Sequence, residues 1–417
     1  FVAVREREGK LVAVPFDEAW QGLVEMVSKK LEQAAAALEG TSEKPLQNYL
    51  QAAARSFRSN EWLPADEAWA AMNAQNSRWY VRVAPDEVYW EPCSRKAGFH
   101  LTLARINTES VEWQKKLTPV RQEMENELAK LAGPPYRTRK VSFHLPDFID
   151  IVINAGDDRD PFGATIGQSL PNWGPVANEG RGRTVVMTNL YTDPDSVEVQ
   201  RRKAASMLCR ESFERIKFES KPDVLGTILH EAAHNLGPAH EYRVEGKTDS
   251  EIFGGPLAST MEELKAQTAA LFFLPFLVER GLIDRRQMTR SYQHTVLWML
   301  GHISRGMYDA SGKPKPYSQL SAIQLGYFLE HGAVEFRKDE KAANGSDIGC
   351  LELHVEKFPS MSGQLMKLVA GIKARGDRAA AQRLVKKYVD GKIVPHALIK
   401  ERVLRFPKAS FVYSWKL

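Results

Sequence analysis

The segment Gly226-Thr-Ile-Leu-His230-Glu231-Ala-Ala-His234-Asn-Leu-Gly237 constrains this chain more than any other. Residues four apart on a helix lie about one turn from each other on one face, so His230 and His234 can reach a single ion. Glu231, between them, points partly the same way and can take a proton from water at a metal without being a ligand. Three fixed positions arise by chance in many long chains, and the bland alternative is a surface helix with two solvated histidines. Here the flanking Val224, Leu225, Ile228, Leu229, Ala232, Ala233 and Leu236 place the helix in a packed interior. An unpartnered histidine there would be costly, so the segment reads as a zinc hydrolase centre.

Zinc held by two histidines needs at least one more protein ligand, and two segments compete for the role. The first is local. His234-Asn-Leu-Gly237-Pro-Ala-His240 completes the pattern H-E-x-x-H-x-x-G-x-x-H, in which a glycine turn returns a third histidine to the metal, and Met261 follows as a candidate Met-turn. The second is Met261-Glu262-Glu263-Leu264-Lys265-Ala266-Gln267, which could open a second helix and lay a carboxylate against the first. Spacing by itself favours His240, because the longer pattern is the rarer one.

At 417 residues, with 43% hydrophobic residues, the chain exceeds one ordinary core and is expected to form two lobes. A net charge of +5 over that length is too dilute to argue for nucleic acid. Cys93, Cys209 and Cys350 are scattered without C-x-x-C spacing, which implies neither a disulfide framework nor a zinc ribbon and leaves any zinc to histidine and carboxylate. No apolar run approaches the roughly 18 residues of a membrane span, so a soluble protein without a membrane partner is expected. The chain begins at Phe1, which fits both an exported and a trimmed cytoplasmic protein, so localisation stays open, as does oligomeric state.

Helical periodicity runs through residues 17–58 and 109–132, with Trp113, Leu117, Val120, Met124 and Leu128 three or four apart. Between and after them, Trp79–Val83, Phe99–Ile106, Lys140–Leu145 and Thr184–Leu190 read as strands. The Gly, Pro and Asn-rich stretch 154–189, including Gly163 to Gly174, reads as long loops leading into a strand. Its glycines lack both the P-loop and the dinucleotide spacing, so nucleotide binding is not expected. From about 195 onward the pattern is predominantly helical. His294 and His302, two turns apart on an apolar helix, read as packing histidines.

The zinc helix, the Gly237-Pro-Ala-His240 turn and the Glu262-Glu263-Leu-Lys-Ala266-Gln267 run together resemble the dipeptidyl peptidase III family, a gluzincin family, and more closely its bacterial and plant-type branch. The resemblance extends over roughly 80–405: Asp86-Glu87-Val88-Tyr89 looks like the family's Glu-x-Tyr element, Ile153-Asn154 resembles its substrate-binding Asn stretch, and Tyr327–Val334 and Gly371–Tyr388 are similar to its helical C-terminal half. It implies Glu263 as the third ligand, with His240 left in the turn, and Tyr89 as a donor to the oxyanion. The chain departs from the pattern at three places. The histidines are one residue closer than in the classical members, Gln267 stands where the family has Asp or Glu, and Ser311, in Ala310-Ser-Gly-Lys313, replaces a histidine expected near substrate.

The expectation is therefore an α+β protein of two lobes: residues 1–195 forming a substrate-binding lobe with a β core, and 196–417 a helical zinc lobe, with the active site between them. His230, His234 and Glu263 would hold Zn2+, Glu231 and Tyr89 would be catalytic, and Glu87 and Asn154 would bind a peptide. The expected activity is that of a zinc metallopeptidase, an exopeptidase resembling dipeptidyl peptidase III. A metzincin-type endopeptidase using His240, or a zinc-containing peptide-binding protein without turnover, are the alternatives.

Overall fold

Branched and aromatic residues cluster in Trp79–Val83, Phe99–Ile106, Phe148–Ile153 and Thr184–Val186, and these runs lie in strands of one sheet. A computed structural model of the chain describes residues 1–88, 91, 96–143, 145–156, 167–219 and 224–407. They group into two compact units, one made of residues 1–111 and 146–191, the other of 112–145 and the chain from Thr192 to the last described residue, Pro407. The architecture is α+β, as expected.

The first unit begins with an antiparallel hairpin, β1 (Val2–Arg7) and β2 (Lys10–Pro15). Glu8 and Gly9 turn it with φ of 52° and 74°, the two left-handed positions that a two-residue hairpin turn requires. The main sheet contains β3 (Trp79–Glu87), β4 (Ala97–Ile106), β5 (Asp147–Gly156), β6 (Gly167–Leu170) and β7 (Arg183–Met187), in the order β3-β4-β5-β7-β6. All neighbours are antiparallel except β5 and β7. Helices Gln21–Ala37, Lys44–Ser59 and Leu63–Ala70 join it in one core, where Tyr49, Phe57 and Trp69 meet Tyr80, Ile149 and Val185.

Strand β4 inverts the usual apolar-in pattern: His100 and Thr102 are buried while Leu101 is exposed. A closed polar network makes that tolerable. Arg82 Nη1 donates to Asp66 at 2.8 Å, and its Nε and Nη2 clamp both oxygens of Asp86 at 2.9 and 2.6 Å. The guanidinium also lies 4.7 Å from the Trp69 ring centre, and Asp86 pairs with His100 at 3.2 Å.

One sequence expectation fails here. The alternation of Lys140–Leu145 predicts a strand, but its described residues take no regular structure and the strand starts at Asp147. The reason is that helix side chains satisfy the backbone of Val141 in place of a ladder: Arg121 Nε donates to its carbonyl at 3.1 Å, and its N–H donates to Gln122 Oε1 at 3.4 Å. Residues 112–145 group with the helical unit and not with the sheet. The chain therefore leaves the first unit, makes α1 (Arg121–Ala132), and returns.

The second unit is built on α1, α2 (Val224–His234), α3 (Gly255–Glu279), α4 (Arg285–Ile303), α5 (Pro316–Glu330) and α6 (Phe358–Arg375). The long α3 packs against α2, α5 and α6 and buries residues around its circumference, among them Leu264, Leu271, Phe273 and Leu277, as a central helix must. The antiparallel hairpin β8 (Val334–Lys341) and β9 (Ile348–Leu353) completes it. A disulfide joins Cys209 and Cys350, correcting the expectation of none. Local spacing had no access to this pair: 141 residues separate the cysteines, and it is β9 lying along 208–209, with Cys209 N–H donating to the Leu351 carbonyl at 3.0 Å, that brings them together.

Candidate metal centre

Helix α2 ends at His234, and three residues later Gly237 adopts φ of 64°, a left-handed turn that glycine takes without strain. The turn is clamped from α1 and the loop after it. Buried Glu125 accepts from the Gly237 N–H at 2.7 Å and from the Tyr136 hydroxyl at 2.7 Å, and Arg139 donates to the Asn235 carbonyl at 3.1 Å. This is the physical reason that 112–145 belongs with the helical unit.

Side by side, α2 and α3 bring His230, His234 and Glu263 together, with one candidate ligand atom from each within 4.8 Å of the others. The two Nε2 atoms are 3.2 Å apart, and Glu263 Oε2 lies 3.1 Å from that of His230 and 3.7 Å from that of His234. Both outer nitrogens are occupied: Nδ1 of His230 meets Gln267 Oε1 at 2.9 Å, and Nδ1 of His234 meets Glu262 Oε1 at 2.8 Å. With Nδ1–H donated outward, each Nε2 keeps its lone pair for the centre. Glu263 Oε2 is buried and accepts no hydrogen bond. An orphaned carboxylate oxygen facing two imidazole lone pairs, in an N, N, O set, fits a zinc ion.

Charges behind the cluster hold it in place. Burial pushes the Glu262 carboxyl up, but the ammonium groups of Lys265 and Lys373, with His234, override it and hold it well below the usual carboxylate range. Lys265 Nζ lies 3.0 Å from Glu262 Oε1 and also donates to the Ala233 and Leu236 carbonyls at 2.7 and 3.1 Å, tying α3 to the end of α2. Lys373 of α6 donates to Glu262 Oε2 at 2.7 Å and to Asp249. Both lysine side chains are wholly buried. Burial also raises Glu263, and the facing His230 outweighs it and lowers the carboxyl.

Glu231, half-buried, follows His230 directly, and its charge is felt by His230 and by the Tyr317 phenol. His240 is elsewhere: its side chain is 72% exposed and pairs with Glu241 at 3.4 Å, outside the cluster. Ser311 sits in an exposed turn, its hydroxyl donating to Asp309 at 2.7 Å. Asn154 and Glu87 belong to the first unit. Asn154 stands opposite Thr102 on β4, and both polar atoms of its side chain are buried without a hydrogen bond. The Glu87 N–H donates to Asn172 at 3.0 Å. Tyr89 and Gly163 lie outside the described residues. His302 packs against Trp298 with ring centres 4.3 Å apart and planes tilted by 51°, and His294 meets the Lys217 carbonyl at 3.2 Å.

No family model matches the chain. Solved structures do. The chain superposes on dipeptidyl peptidase III from Caldithrix abyssi with a TM-score of 0.74 at 24% identity, covering 98% of this chain and 73% of that one. With dipeptidyl-peptidase III from Corallococcus sp. strain EGB the TM-score is 0.62 at 26% identity, covering 98% and 71%. The chain is dipeptidyl-peptidase-III-like. Among curated proteins, this DPP III-like chain is 26% identical to Nudix hydrolase 3 of Arabidopsis thaliana over 381 residues, or 91% of this chain. It spans only 46% of the length of that relative, whose name describes the whole protein.

Sequence reasoning missed Lys373, Asp249 and Tyr317. Lys373 stands 111 residues from Glu262, and it and Lys265 look like ordinary charged helix residues until their burial is known.

Proposed function

We propose that this chain is a zinc metallopeptidase that hydrolyses peptide bonds, acting as an exopeptidase in the manner of the DPP III structures it resembles. The single observation that carries the reading is the orphaned Glu263 Oε2 facing the paired Nε2 atoms of His230 and His234. These three residues would hold the ion, and zinc in such a site supplies Lewis-acid activation of water and of a carbonyl oxygen. Glu231 takes the proton of the attacking water and passes it to the leaving amine. Gln267 and Glu262 fix the tautomers of the two histidines, and Lys265 and Lys373 keep Glu262 ionised for that task.

In the first unit, Tyr89 would donate to the developing oxyanion, while Glu87 and Asn154 would hold the peptide. The unsatisfied Asn154 amide supports the last assignment, since it leaves a donor and an acceptor for a peptide main chain. The exposure of His240 favours Glu263 over it as third ligand. No helix among the described residues is long and apolar enough to cross a membrane. The Cys209–Cys350 disulfide supports maturation in an oxidising compartment.

Zinc content tests the ligand set. The wild type should bind about one zinc per chain, Glu263→Ala should lose most of it, and His240→Ala should keep it. The reverse order for the two variants would move the protein to the His240 arrangement.

A further inference from the structure

The Cys209–Cys350 disulfide has a carboxylate beside it. Strand β8 bulges as it passes β9: Arg337 stands opposite Cys350 and Lys341 opposite Ile348, so residues 338–340 face only Gly349. Gly349 takes φ of 92°, and a Cβ there would press on the Phe336 ring at 3.2 Å and on the Lys338 carbonyl at 3.3 Å. A bulge re-aims the side chains it carries. Here one carboxylate oxygen of Glu340 and the two sulfurs all lie within 4.8 Å of one another. Arg337 Nη1 donates to Glu340 Oε2 at 3.1 Å and steadies the carboxylate. Both cysteines are wholly buried, whereas Glu340 is exposed and gives the group a side open to solvent.

Contacts other than the S–S bond also hold the two cysteines together. Arg402, buried in the helix His396–Leu404, donates to the carbonyls of Ser206, Gly349 and Ile348 at 2.8, 2.5 and 2.5 Å. It thereby ties the segment before Cys209 to the one before Cys350. Ser206 Oγ donates to Asp347 at 2.7 Å, and the Ala343 N–H donates to the Leu208 carbonyl at 2.9 Å. With the Cys209–Leu351 bond described above, these contacts keep the Cα atoms 5.0 Å apart, and reduction leaves all of them intact.

We propose that reduction converts this disulfide into a binding site for a thiophilic divalent cation such as zinc or cadmium, with Cys209, Cys350 and Glu340 as ligands. A dithiol reductant supplies two electrons and two protons, becomes a disulfide itself and leaves two protein thiols. The cation displaces both thiol protons to solvent and takes two sulfurs and one carboxylate oxygen. In a tetrahedral zinc site with bonds of about 2.3 Å to sulfur and about 2.1 Å to oxygen, neighbouring ligand atoms stand roughly 3.5–3.8 Å apart. The freed cysteine side chains reach that spacing by rotating about their Cα–Cβ bonds. Thiolates select zinc or cadmium over magnesium or calcium. The site shares no residue with the His230 cluster and does not rest on the zinc reading above.

The experiment compares oxidised protein with protein reduced by dithiothreitol and then freed of it without air, each carrying Cys93→Ser so that only this pair supplies thiolates. Both are titrated with cobalt(II), and the near-ultraviolet charge-transfer band that thiolate ligation gives is recorded with the ions bound per chain. His230, His234 and Glu263 contain no sulfur, so the band reports the proposed site whatever they bind. The reduced protein should keep its native circular dichroism before metal is added, show the band, and bind about one more ion per chain than the oxidised protein. Glu340→Ala, a change at an exposed side chain, should weaken that binding by at least the roughly 10-fold that losing even an outer partner of a metal costs. A reduced protein without the band and the extra ion overturns the proposal, as does one that unfolds before metal is added. Wild-type affinity in Glu340→Ala also overturns it, since the carboxylate is then no ligand.

Discussion

Removing the buried ammonium of Lys373 should destabilise the helical unit, and the structure fixes how much. Lys373 has a side chain with no exposure and serves two carboxylates, Glu262 and Asp249. Breaking a buried ion pair from one side costs about 3–5 kcal/mol, because the other charge is left without a partner. Here the two carboxylates fare differently. Glu262 keeps Lys265 at 3.0 Å, whereas Asp249 Oδ1 already lacks a hydrogen bond and its other oxygen depends on Lys373. Asp249 will neutralise instead of remaining charged, which places the loss for Lys373→Met near the low end, about 3 kcal/mol. At about 2–4 °C per kcal/mol for a body of this size, Tm should fall by roughly 6–12 °C. Thermal unfolding of the metal-free protein is the assay, with the double variant Lys373→Met/Asp249→Asn beside it. The second change removes the stranded carboxylate, so the double variant should recover part of the loss. A Tm for Lys373→Met within about 2 °C of wild type, or a double variant that falls further by the full cost of a second independent change, would refute the reasoning.

Glu262→Gln keeps an acceptor for His234 Nδ1 but removes the charge that Lys265 and Lys373 sustain, so zinc affinity should fall about 10- to 100-fold, read by chelator competition. Reduction of Cys209–Cys350, checked by thiol labelling of the unfolded protein, should lower stability by about 2–5 kcal/mol, read as a drop in denaturation midpoint.

The His230–His234 pair of the candidate metal centre was legible in the sequence because its signal is local. A helix of fixed pitch turns the spacing of His230 and His234 into a shared face, and the apolar flanks announced its burial. Glu263 could not be chosen over His240 by spacing, since the choice depends on the packing of α3 against α2 and on the clamp at Gly237; the family resemblance supplied it. The strands around 79–106 and 184–187 carried their own composition, but Lys140–Leu145 alternates like a strand and is held by Arg121 and Gln122 instead. His100 and Thr102 face inward against the apolar pattern because Arg82, Asp66 and Asp86 close a network around them. The disulfide and the Lys373 contacts join residues more than 100 positions apart, and the Arg82 network joins a helix to two strands, so no local period encodes either.

The most direct test of the account is peptide hydrolysis by Glu231→Gln measured together with its zinc content. The substituted amide keeps the shape of the side chain and loses the ability to accept a proton, while His230, His234 and Glu263 are untouched. The account predicts full zinc occupancy with hydrolysis of free-N-terminal peptides reduced by roughly 10²-fold or more. Wild-type turnover by a zinc-loaded Glu231→Gln protein would contradict it.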